Sequence, residues 1–275
     1  MTHSPSRRRL LAGASLAVAA GLLPRAAAAD TVADIKKRGK VIIGIQGDNP
    51  PFGFVNSQGV QDGYDADVGR LFAAALGVQA EFVPLAVANR IPALTTGRVD
   101  VLFATMAMLP DRAKAVQYSR PYVSNYITLV APKTTAVKTN ADMGKLTIGV
   151  PRSSVQDTQI TNNAPQGTTI RRFDDDAATI QAMLSGQVEA VGGNMFYVAR
   201  LNAVKPDTFE DKLEFTRLHN GACSRLGDKE MNAALNDFLG KALASGALEA
   251  PYQKWFNMKV PSFPTSVEGV PFTVS

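Results

Sequence analysis

Twice along this chain an apolar run gives way to a helical stripe and then to another apolar run, and that alternation limits the fold more than any other feature. In the first block KVIIGIQ (40–46) is a continuous apolar run suited to a strand buried on both faces. DADVGRLFAAALG (65–77) shifts to a helical period, with Val68, Leu71, Phe72, Ala75 and Leu76 on one stripe and Gly77 as the stop. QAEFVPL (79–85) reads as a strand, NRIPALTTG (89–97) as a short helix that tolerates Pro92 only in its first turn, and VDVLFAT (99–105) as a third strand. The second block repeats the order: strand KLTIGVP (145–151), a helix from RSSVQDTQI capped by Ser153 or Ser154, strand TTIRRF (168–173), helix DDAATIQAMLSG (175–186) and strand VEAVGG (188–193). Two such units in tandem predict an α/β protein with two parallel-sheet lobes.

PYVSNYITLVAPK (121–133), between the blocks, is too apolar and aromatic for a loop and reads as an extended crossing strand. DKEMNAALNDFLGKALASG (228–246) and ALEAPYQKWF (247–256) are helices with no strand between them, so their apolar residues need the first lobe's sheet to cover. The chain then crosses back near LHNGACS (218–224), which gives two crossings with a cleft between the lobes. The expected division is lobe 1 over 30–125 and 221–260, lobe 2 over 126–220, and an irregular Pro/Ser/Val-rich extension over 261–275.

The first 29 residues stand apart from this pattern. Arg7, Arg8 and Arg9, a short apolar stretch and the run Ala27-Ala28-Ala29 form an export signal of twin-arginine character, with cleavage expected after Ala29. The apolar stretch is short and Ala/Gly-rich for a membrane span. Loss of Arg25 and the three arginines before it leaves 25 basic against 24 acidic residues, one net positive charge in place of five. Nucleic-acid binding is therefore not suggested. Cys223 is the only cysteine, so no intramolecular disulfide can form, and with His3 removed His219 is the only histidine; a His-based metal cluster is excluded and no cofactor is expected. Cys223 reads as a small buried thiol.

Strand ends of a parallel α/β unit gather at one edge, where ligands usually sit. Ala104 to Ala107 fall at such an edge, and Arg112 follows at the next helix. Arg112 is placed to hold a carboxylate through two parallel hydrogen bonds; pairing with Asp111, or solvation, remains open. GDNPPFGF (47–54) follows the first strand, with Phe52 as an apolar wall or as ordinary core. Ser153 and Ser154 stand beside free N–H groups at a helix start, where they meet the same carboxylate from the other lobe or simply cap. Asn194, just past VEAVGG, can enter the cleft.

The ordered stretches KVIIGIQGDNPPFGF, GYDADVGRLFAAALG, NRIPALTTGRVDVLFA, LPDRAKAVQYSRPY, KLTIGVPRSSVQDT, AMLSGQVEAV, GDKEMNAALNDFL and KWF resemble the bacterial extracellular solute-binding proteins that deliver polar amino acids to ABC importers. The resemblance runs from about residue 39 to 257. It implies the two-lobed periplasmic binding protein fold (type II), a periplasmic location, a monomer, a small carboxylate or amino-acid ligand and importer permease subunits as partners. It also implies that Arg112 clamps the ligand's α-carboxylate, that Phe52 lies near an apolar wall, and that Ala104 and Thr105 offer backbone or hydroxyl groups.

Four positions depart from the family pattern. Ala107 replaces a Ser or Thr, Val155 replaces a threonine that contacts the carboxylate, Asn49 replaces a wall aromatic, and Asn194 replaces the aspartate that binds the α-ammonium. The last change removes the charge that selects an ammonium, which opens the possibility of an organic acid. Arg152 adds positive potential or is solvated. Two alternatives stand beside transport: a cyclohexadienyl-dehydratase-like lyase, which needs a general acid in the cleft, and a ligand-sensing receptor for an organic acid.

Overall fold

Two strands of 17 residues each, Val116–Pro132 and Phe209–Arg225, run antiparallel through the whole molecule and pair from Phe209 opposite Pro132 to Arg225 opposite Val116. The computed structural model describes residues 1–2 and 32–274; the export-signal reading of residues 1–29 lies outside them apart from Met1 and Thr2. On one side of the long pair the strands Gln79–Pro84, Lys40–Ile45 and Val101–Leu102 form a parallel set; on the other, Ala190–Asn194, Thr147–Pro151 and Thr169–Phe173 form a second. The long strands join each set antiparallel, so each lobe is a mixed sheet rather than a purely parallel one.

The first expected crossing segment is longer than PYVSNYITLVAPK, because the ladder with the return strand begins at Val116. The expected strand 99–105 is shorter, with only Val101–Leu102 in the ladder. Thr105 adopts a left-handed backbone (φ 48°), which turns the chain out of the sheet. Its N–H donates instead to Asp65 Oδ2 at 3.0 Å.

Lobe 1 holds the larger core. Helix Tyr64–Leu76 packs Val68 and Phe72 on Val41, Ile43 and Val101. The C-terminal helices Lys229–Ala244 and Glu249–Phe256 return to the same face with Leu235, Phe238, Leu239, Tyr252 and Phe256, as their apolar stripes require. Ring contacts bind these pieces together: Phe72 lies 5.5 Å from Phe238, Tyr64 4.7 Å from Phe256 and Phe103 5.6 Å from Tyr122. Lobe 2 divides its apolar residues between the two faces of its sheet, Ile148, Val150 and Ile160 on one and Val191, Tyr197 and Leu201 on the other. Beyond Met258 the described residues form no further helix, yet they are tied down. Gln117 Nε2 donates to Pro271 O at 2.9 Å, Asn236 Nδ2 to Phe272 O at 2.7 Å, and Val270 is buried in lobe 1.

Candidate functional site: the cleft between the lobes

Three helix starts and one strand turn converge where the lobes meet. Arg112 sits in the four-residue helix Pro110–Ala113. The adjacent Asp111 pairs with Lys114 at 2.7 Å instead, which leaves the guanidinium free to face lobe 2. Arg112 Nη2 donates to Ser153 O at 3.2 Å, at the entrance to helix Val155–Asn163. Ser154 caps that helix, accepting from Asp157 N at 3.0 Å, while Val155 and Gln156 line the cleft. An arginine thus stands beside a helix N-terminus, whose free N–H groups and dipole also favour an anion.

Several buried polar atoms here have no hydrogen-bond partner within the protein. Arg112 Nη1, Asn125 Oδ1 and both amide atoms of Asn220 are in this condition, and all three residues line the same enclosed space of about 30 Å³. Buried polar groups are nearly always paired, so this convergence makes the cleft the candidate site for a polar solute. An adjoining space of about 90 Å³ shares Val87, Arg90 and Arg112. A larger cavity, about 750 Å³, lies elsewhere, under the C-terminal segment between Arg120, Phe263 and Phe272. Among the described residues no buried side-chain atom there lacks a partner, so chemistry favours the smaller cleft over the larger hollow.

Cross-lobe hydrogen bonds hold the walls together. Gln46 Nε2 donates to Asp176 Oδ2 at 3.1 Å and Asn194 Nδ2 to Asn49 Oδ1 at 2.9 Å. Asp48 Oδ2 accepts from the N–H groups of Asp176 (2.7 Å) and Ala177 (3.2 Å), capping helix Asp176–Leu184 from the opposite lobe. Burial, with Asp176 adding to it, pushes the Asp48 carboxyl up to about 6. Burial also raises Asp176. Arg90 is buried and spends its guanidinium on carbonyls, Nε on Val87 O at 3.1 Å and Nη1 on Ala104 O at 2.5 Å; desolvation, then the field of Arg112, lowers it to about 10.

The ten residues singled out in the sequence fall into three groups. Arg112, Asn49, Thr105, Ala107, Ser154, Val155 and Asn194 line the cleft. Ser153 lines the adjoining space with Arg112, in a left-handed conformation (φ 60°). Phe52 and Ala104 do not line it. Phe52 is fully buried in the lobe 1 core, 5.3 Å from Phe256 and 5.4 Å from Phe196 of lobe 2, and the Ala104 carbonyl is taken by Arg90. The small hairpin sheet of Asp48–Asn49 and Gly53–Val55 brings Asn49 to the cleft and Asp48 to the start of helix Asp176–Leu184. Arg152 is solvated and pairs with Asp174 at 3.0 Å. Cys223 is buried, and His219 Nδ1 lies 3.0 Å from Ser124 Oγ rather than near the thiol.

Sequence reasoning missed Gln46, Asp48, Arg90, Asn125, Gln156, Asp176 and Asn220. Asp176 carried a usable signal. Of the run Asp174-Asp175-Asp176, the first is exposed, the second caps its helix through Ala178 N at 2.7 Å, and only the third is buried.

Two α/β lobes joined by two crossing strands, with orphaned polar atoms facing one another across the gap, define a type II periplasmic binding protein, which holds a solute by closing on it. Residues 41–258 match the family of bacterial extracellular solute-binding proteins, family 3, and the chain belongs to that family. It is similar to the L-cystine-binding protein TcyJ of Escherichia coli strain K12, 27% identical over 260 residues that span 92% of this chain and 97% of the relative. Among solved structures it resembles a solute receptor for L-cysteine of Neisseria gonorrhoeae (TM-score 0.77, 27% identity, 82% of this chain and 93% of that one). It also resembles an ancestral amino acid-binding protein, AncCDT-1, described as a precursor of cyclohexadienyl dehydratase (TM-score 0.75, 28% identity, 82% and 99%). The chain is a periplasmic substrate-binding component of an ABC importer for a small polar or carboxylate-bearing solute, with the importer's permease as its partner, and it works by binding rather than by catalysis.

Proposed function

We propose that the solute is an amino acid whose carboxylate is gripped between Arg112 of lobe 1 and the start of helix Val155–Asn163 of lobe 2. The observation behind this reading is the buried, unpartnered Nη1 of Arg112 beside that helix start. One guanidinium nitrogen is anchored on Ser153 O while the other remains unpaired, so a carboxylate entering the cleft meets an oriented donor rather than a mobile one. Thr105, Asn125 and Asn220 surround the bound solute, and Ala107, Ile127 and Val155, which pack together, form its apolar floor. The relatives that bind cystine and cysteine support an amino acid as the class. Export by the signal in residues 1–29 and action as a monomer belong to the same reading.

A thermal-shift screen of the chain from residue 30 against amino acids and small mono- and dicarboxylic acids tests it. A true ligand raises the unfolding midpoint by mass action. Arg112→Ala weakens that ligand by ~2–5 kcal/mol, the usual cost of removing one partner of a buried charge pair, and leaves the unliganded midpoint in place. Unchanged affinity in Arg112→Ala overturns the reading.

A further inference from the structure

The family resemblance puts Asn194 where an ammonium-binding aspartate is expected, and each of its amide atoms already makes a hydrogen bond. Nδ2 donates to Asn49 Oδ1 at 2.9 Å, and Oδ1 accepts from Phe196 N at 2.9 Å. A different carboxylate lines the same cleft. Asp176 is 1% exposed and stands at the first turn of helix Asp176–Leu184. Oδ1 accepts from Tyr197 OH at 2.5 Å and Oδ2 from Gln46 Nε2 at 3.1 Å, both neutral donors. Among the described residues no lysine or arginine forms an ion pair with it; Arg200 and Arg90 reach it only through their fields.

An ionised carboxylate has room for about four hydrogen bonds, and burying it without a counter-charge is costly. Lobe 2 therefore offers a buried carboxyl group with no paired cation, which a cation entering the cleft would ionise. Lobe 1, in the same cleft, offers an arginine nitrogen lacking a paired anion, next to Asn220 with both amide atoms unpartnered. Asp48, the other nearby carboxylate, is occupied in capping the helix and does not line the cleft.

We propose that Asp176 seats the ligand's ammonium group, taking the role that Asn194 has lost, so that the receptor selects zwitterions over plain organic acids. This rests on the amino-acid reading above. A zwitterion supplies both missing counter-charges at once: its carboxylate meets Arg112, and its ammonium donates to Asp176 while Tyr197 and Gln46 hold the carboxylate oxygens in place.

The test is calorimetric titration of the chain from residue 30 with matched pairs that differ only in the ammonium. The pairs are L-cysteine and 3-mercaptopropionate, L-glutamine and glutaramate, and L-arginine and 5-guanidinopentanoate. The wild-type protein is expected to prefer the amino acid of at least one pair by roughly 30-fold or more. Asp176→Asn is expected to lower that preference to about threefold or less while keeping its affinity for the des-amino partner. Proton uptake or release, read from the dependence of binding heat on buffer ionisation, gives a second measure on the unmutated protein. Burial raises Asp176, so an arriving ammonium, which favours the ionised carboxylate, is expected to drive proton release on binding. Equal binding of both partners by the wild-type protein, or full discrimination retained in Asp176→Asn, overturns the inference and leaves the carboxylate clamp standing. If neither member of any pair binds, the clamp reading fails and this inference falls with it.

Discussion

Lobe 1 and lobe 2 share a topology but meet a solute in different ways. Lobe 1 presents side chains held from behind: Arg90 is fixed on the carbonyls of Val87 and Ala104, and Thr105 is turned outward over the buried Asp65. Behind them lies an aromatic core closed by two helices that arrive from the far end of the chain. Lobe 2 presents helix starts, one capped by Ser154 and one by Asp175, over thinner apolar layers on each sheet face. The contrast teaches that the first lobe acts as a seat of side chains braced from behind and the second as a cover of helix starts.

Stability offers the widest margin for breaking that contrast. Phe72, fully buried between Phe103 and Phe238, is expected to cost ~3–5 kcal/mol when changed to alanine. Ile160→Ala in lobe 2 removes less volume and is expected to fall lower in the range of ~2–5 kcal/mol. Denaturant unfolding of both variants checks the order. An equal or larger loss from Ile160→Ala erases the distinction between seat and cover.

Acidity sharpens it next. Asp48 is pushed up to about 6 where the lobes meet, against about 3.9 for an exposed aspartate. The joined lobes thus hold a proton that separated lobes release. Closure through this group is favoured as pH falls through 6 and opposed as pH rises above it. Small-angle scattering or a distance probe across the cleft, followed from pH 7.5 to 5, is expected to show more closed protein at the acidic end. Asp48→Asn is expected to flatten that trend. Within lobe 1, burial pushes Asp65 up to about 7, so its contribution to stability is present in acid and declines as pH rises through 7. A melting midpoint for Asp65→Asn that falls as steeply as the wild type's between pH 6 and 8 would remove Asp65 from that account.

The smallest expected effect lies at the cover's edge. Ser154→Ala loses one cap and should lower lobe 2 stability by ~1 kcal/mol, weakening ligand by less than about tenfold. A loss of binding comparable to that of Arg112→Ala would make Ser154 part of the seat.

The fold was open to reading because periodicity is local. The stripe Val68, Leu71, Phe72 and the apolar run 40–46 announce their own burial, and the helices 228–246 and 247–256 had too much apolar surface to stand without a sheet. Arg112 was legible from its place beyond a strand end and from the family pattern. Phe52 stayed open between wall and core because a Pro-Pro turn near an edge does not say which way the next ring points; its ring lies in the core. Asp176 was overlooked because three consecutive aspartates look alike until a tertiary neighbour buries one of them.

By itself the sequence determined two α/β lobes, their two crossings, the covering helices and one arginine beside the cleft, since each follows from spacing along the chain. Only the tertiary structure decided which polar atoms were left unpaired when the lobes met. Pairing depends on groups far apart in sequence, Gln46 with Asp176 or Asn49 with Asn194, and no local pattern records how close those groups come.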